Sequence, residues 1–88
     1  MDNITGWRNL IDDIDSKIVA LLNERAIYAI EIGKAKVKKG MSIKNLDRET
    51  DVINHVCQMN EGPLSNESFQ KIFTCIMEEC RNIQKSLL

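Results

Sequence analysis

One apolar stripe constrains this chain more than anything else in it. From Trp7, alternating steps of four and three reach Ile11, Ile14, Ile18, Leu21, Arg25, Tyr28, Ile32 and Ala35, all apolar except Arg25. Such steps stay on one face of an α-helix. Their mean near 3.5 is the period of a helix seam that supercoils against another helix. Asn3 or Thr5 is placed to cap the start and Gly40 to stop the end, so the spacing predicts a helix over about Ile4 to Lys39. Thirty-six helical residues span about 54 Å. A compact chain of 88 residues has a radius of gyration near 12 Å and is roughly 30 Å across. A helix of that length outruns its own domain, and its stripe needs cover from another chain. The simplest closed solution is a two-fold dimer with long helices side by side.

Two further segments carry helical periodicity, and none carries the alternation of a strand. The second runs from about Asp47 to Met59, with Asn45 or Asp47 as N-cap, Glu49 in its first turn and Val52, Ile53 and Val56 as its apolar face. Asn60-Glu61-Gly62-Pro63 breaks it. The third starts with Ser65 as N-cap, and its stripe is Phe69, Ile72, Phe73, Ile76, Cys80, Ile83 and Leu87. The expected fold class is all-α, three helices per chain with one very long, in a single domain spanning residues 1–88. Helices of about 13 and 22 residues cannot cover the long stripe alone.

Composition narrows the function classes. A net charge of −1 gives no global basic field for nucleic acid. Lys34, Lys36, Lys38, Lys39 and Lys44 read as a solvated helix end favoured by the C-terminal dipole. No apolar run approaches the roughly 20 residues of a membrane span. The start, MDNITGWRNL, lacks the basic and apolar regions of a signal peptide, so the expectation is a cytoplasmic protein. Cys57, Cys75 and Cys80 lack the close pairing of a zinc site and read as reduced thiols; His55 reads as a helix-surface residue. No metal or cofactor is expected.

Polar groups on the inward faces are the functional signal. Arg25 interrupts the first stripe. Lys36, eleven residues later, lies roughly 20° off the same face and about 16 Å along it, with Ala29 leaving room between them. Two inward cations are costly unless something anionic meets them. Glu24, Glu31 or acids of the second helix would serve, or an anionic ligand. Gln84 follows Cys80 by one turn and wants partners for two donors and an acceptor, unless it sits on the rim. Arg48 at the start of the second helix opposes the macrodipole unless it meets an anion; a surface salt bridge is the alternative. Arg8 lies about 25 Å before Arg25 along the helix and cannot share its ligand within one chain. In an antiparallel pair of first helices it would reach the partner's Arg25 and Lys36; otherwise it is a solvated residue. Arg8 of one chain with Arg25, Lys36, Arg48 and Gln84 of the other would form a cationic pocket for a small dianion. There is no nucleophile–base pair and no Gly-rich phosphate loop. Chemistry in such a pocket rests on positioning and electrostatics.

The stretches WRNLIDDIDSKIVALLNER, IGKAK, LDRE, GPLS and IFTCIMEECRNIQ, in this order and spacing, resemble the all-helical chorismate mutase family across nearly the whole chain. The resemblance implies an intertwined homodimer with two equivalent sites. It also implies rearrangement of chorismate to prephenate, a one-step pericyclic shift with no cofactor and no covalent intermediate. In the family, arginines hold the two substrate carboxylates. Arg8 matches the one donated by the other subunit and Arg25 the one within the chain. Lys36 matches the lysine on the ether oxygen and a carboxylate, and Arg48 the arginine opening the second helix. Glu49 matches the acid that binds the ring hydroxyl, and Gln84 the second donor to the ether oxygen. Two positions depart from the commonest pattern. Asn45 stands where Asp is usual near the ring hydroxyl, and Cys80 stands where Ser is common and is a weaker donor. Both bear on affinity more than on reaction type. Two other readings fit the same residues: an isochorismate pyruvate-lyase of the same fold, and a non-catalytic ligand-binding or dimerisation module.

Overall fold

A computed structural model describes residues 3–87. It contains three helices: α1 (Ile4–Lys38), α2 (Leu46–Met59) and α3 (Asn66–Leu87). The described chain is elongated, 61 × 25 × 15 Å, with a radius of gyration of 16.3 Å, well above the roughly 12 Å of a compact chain of this length. Among the described residues, no helix is long and apolar enough to cross a membrane.

The helix ends follow local chemistry. The α1 carbonyls close in a Schellman arrangement. Gly40, at φ +67°, donates its N–H to Val37 O, and Met41 N–H reaches back to Lys36 O at 2.8 Å. Only a glycine takes that left-handed position cheaply. Asn45, rather than Asp47, caps α2: its Oδ1 accepts from Arg48 N at 3.1 Å. Ser65 caps α3 through Ser68 N–H. Asn3 occupies the α1 N-cap position without a side-chain cap bond. Asn60 braces the α2–α3 turn, donating to Leu64 O and to Asn66 Oδ1 and accepting from Gly62 N–H.

α3 packs against both α1 and α2. On α1 the face it covers is not the predicted stripe. Ala29 and Gly33 are the buried residues, flanked by half-buried Arg25, Ala26, Ile30 and Lys36. This face lies about 100° round the helix from Tyr28, Ile32 and Ala35, all of which are exposed. Small residues explain the choice, because Ala29 and Gly33 let another helix approach closely. On α3 the buried residues are Met77, Cys80 and Gln84. Phe69, Phe73, Ile76 and Ile83 of the expected stripe are half-buried, while Ile72 and Leu87 are exposed. The burial of Met77 was not anticipated. Val56 is the buried residue of α2, beside half-buried Val52 and Ile53.

The rest of the long stripe is uncovered within the chain. Trp7 is 61% exposed, Ile14 53% and Leu21 63%. Lower on the same helix, Ile18 and Leu22 face Ile72, Ile76 and Ile83 of α3 across an open apolar groove.

Candidate active site

The C-terminal half of α1, the first turn of α2 and the C-terminal half of α3 enclose a cavity of about 270 Å³. Seven of the eight residues singled out from the sequence line it: Arg25 and Lys36 from α1, Asn45, Arg48 and Glu49 from the start of α2, and Cys80 and Gln84 from α3. Arg8 does not. It lies exposed near the other end of α1, about 25 Å away along the helix axis.

Each element brings its residues for a local reason. One helical face carries Arg25, Ala29 and Lys36. The left-handed turn at Gly40 folds residues 41–45 back, so that Ile43 O accepts a hydrogen bond from Lys36 Nζ at 3.0 Å. The Asn45 cap then starts α2 with Arg48 and Glu49 in its first turn. On α3, Cys80 and Gln84 are one turn apart on the buried face.

Three of the four cations that line the cavity are not matched by acids. Among the described residues, Arg25, Lys36 and Arg48 form no ion pair; Glu31 pairs with Lys34 at the surface instead. Acidic neighbours therefore do not explain the inward cations. Arg25 Nη1 donates to Cys80 Sγ at 3.3 Å, so the Cys80 sulfur serves here as an acceptor rather than as the weak donor expected. Gln84 Nε2, buried in the fold, donates to Ala29 O at 2.6 Å. This accounts for one of its two amide hydrogens and rules out a position on the rim. Among the described residues, no group of His, Cys, Asp and Glu is arranged to hold a metal ion.

Sequence reasoning missed one charged residue of the cavity wall. Arg81 Nη1 donates to Glu49 Oε1 at 2.5 Å, and both side chains are about one-fifth exposed. The other Glu49 oxygen, Oε2, is buried without a hydrogen-bond partner. The signal was available. Arg81 lies four residues after Met77 and three before Gln84, which puts it on the face those two bury. Tyr28, Ala29 and Ile32 of α1, with Ile43, Val52 and Met77, complete the wall.

Similarity to known proteins agrees with this geometry. The family described as chorismate mutase type II matches residues 7–85. A bifunctional chorismate mutase/prephenate dehydratase of Neisseria gonorrhoeae is 39% identical over 80 residues, covering 91% of this chain and 22% of that protein. The protein of the same name from Escherichia coli K12 is 32% identical over 82 residues, covering 92% and 21%. The chain thus spans about a fifth of the length of the curated relatives it matches. A solved structure of chorismate mutase from Thermus thermophilus superposes with a TM-score of 0.93 at 25% identity, covering 96% of both chains. An all-helical fold, a cavity assembled in this order along the sequence and a family match over almost the whole chain converge on one conclusion: this chain belongs to the type II chorismate mutase family.

Proposed function

We propose that this chain binds chorismate and rearranges it to prephenate. The observation that carries the reading is the set of three cations, Arg25, Lys36 and Arg48, which share one small cavity and pair with no carboxylate, its one acid, Glu49, being taken by Arg81. A dianion is the natural complement of such a site, and chorismate carries two carboxylates. Glu49 and Asn45 stand at the same wall, where the ring hydroxyl of the substrate would lie.

The reaction breaks a C–O bond while a C–C bond forms, and negative charge builds on the ether oxygen. A donor aimed at that oxygen stabilises the transition state more than the ground state. Lys36 spends one of its three N–H donors on Ile43 O, and Gln84 one of its two on Ala29 O. Each keeps at least one donor for the substrate, while its backbone bond fixes its aim. Arg25 and Arg48 clamp the carboxylates, and so hold a flexible molecule in the compact conformer that reacts. No proton moves in this rearrangement and no covalent enzyme intermediate forms.

The active unit in this reading is a homodimer of single-domain chains, with residues 1–88 as the domain. The uncovered stripe from Trp7 to Leu21 would be buried against the partner, and each chain would donate Arg8 to the other's site. The setting is cytoplasmic, with no nucleic acid, membrane or cofactor involved. The test is the loss of chorismate diene absorbance with purified protein, with products identified. Conversion to prephenate without pyruvate release supports the reading. Inactivity of a folded dimer, or release of pyruvate from isochorismate instead, defeats it.

A further inference from the structure

We infer that Arg81 is a positioning residue for Glu49: it draws the carboxylate away from the substrate-binding cations and presents its second oxygen to a neutral donor on the ligand. The inference rests on the chorismate reading above and adds a residue to it. Four cations and one carboxylate line the cavity: Arg25, Lys36, Arg48, Arg81 and Glu49. A carboxylate in such company pairs with whichever cation is best placed. Were that Arg48 or Lys36, one of the positions needed for a substrate carboxylate would already be neutralised. Arg81, supplied by α3, takes Glu49 instead, through one oxygen only. Arg25, Lys36 and Arg48 are left free of carboxylates.

The remaining Glu49 oxygen carries the second half of the argument. Oε2 is buried and has no partner. A buried acceptor in that condition is unfavourable until a donor arrives. The carboxylates of a dianionic ligand would be repelled by it, so the matching group is a hydroxyl. Charge on Arg81 thereby sets both the net charge of the pocket and the orientation of a hydroxylated dianion within it.

The test is a double-mutant cycle on the full chain: wild type, Arg81→Leu, Glu49→Gln and the double variant, with Arg81→Gln and Arg81→Lys alongside. Turnover of chorismate and the chorismate-induced rise in Tm are both measured. Arg81→Leu and Arg81→Gln should raise KM by about tenfold, with a smaller change in kcat, because Lys36 and Gln84 are untouched. Arg81→Lys should recover part of the loss. In the Glu49→Gln background, removing Arg81 should change KM less than about twofold, since the carboxylate it restrains is gone. Two results overturn the role: a KM near wild type in both neutral variants, or the same tenfold rise in the Glu49→Gln background. If wild type turns chorismate over and Arg81 proves indifferent, the mutase reading stands and this inference falls. If wild type shows no turnover, the mutase reading falls, and the cycle read in Tm decides Arg81 alone; a flat response in every variant overturns it.

Discussion

The two halves of α1 share one periodicity and have opposite surroundings. From Trp7 to Glu24 every residue is exposed, including the large apolar side chains of Ile11, Ile14 and Leu21. From Arg25 to Lys36 the helix instead turns Ala29 and Gly33 into α3 and two cations into the cavity. Apolar spacing therefore says that a face will be covered, but not by what. Small side chains select the neighbour within the chain, and the large ones stay uncovered within it.

The largest effect should come from the cavity half. Lys36→Ala should remove roughly 3 kcal/mol of transition-state stabilisation, about two to three orders of magnitude in kcat. Steady-state kinetics on chorismate checks this, and near-wild-type turnover would end the assigned role. The next test joins the halves. Arg8→Ala and Arg25→Ala chains should each be poorly active. An equal mixture, unfolded and refolded together, should regain about a quarter of the wild-type sites, because half the dimers are mixed and each has one intact site. No recovery in confirmed mixed dimers would separate the two regions functionally.

The exposed half can also be probed alone. Ile14→Asp should cost about 2 kcal/mol or more per chain and convert the assembly to monomers, since it would place an unpaired charge in a covered apolar seam. Light scattering and thermal melting read both effects. A change under about 0.5 kcal/mol, as at an ordinary surface position, would mark the stripe as a solvent face. The smallest effect is expected at the junction with the loop. Gly40→Ala puts a side chain at φ +67° and should cost about 1 kcal/mol, a fall in Tm of about 4–8 °C for a domain of this size.

Much of the site was legible because helical spacing is rigid. Arg25, Lys36 and Gln84 interrupt or adjoin apolar stripes, and a helix fixes where such residues point; Cys80, one turn before Gln84, was singled out through the family resemblance. Arg48 followed from the position of a helix start, whereas Asn45 and Glu49 were singled out through the family resemblance. Arg81 was not legible as a partner of Glu49, because that contact depends on how α3 rotates against α2. The structure buries Met77, a residue that the expected stripe omitted, on the face that carries Cys80 and Gln84. The covered face of α1 was misplaced for a related reason: Ala29 and Gly33 carry little hydrophobic signal, yet they determine where α3 can approach. The choice between Asn45 and Asp47 as cap needed coordinates, since both residue types cap well.

Lys36 is tied to the following loop at both ends. Its carbonyl accepts Met41 N–H, and its ammonium holds Ile43 O. The residue proposed to face the breaking bond is thus also the ruler that sets the length of residues 41–45. An inserted residue there would move Lys36, Arg48 and Glu49 out of register together. The α2–α3 turn is tied by Asn60, but away from the cavity, so length variation at the second connection should cost local stability, while at the first it should also cost the site.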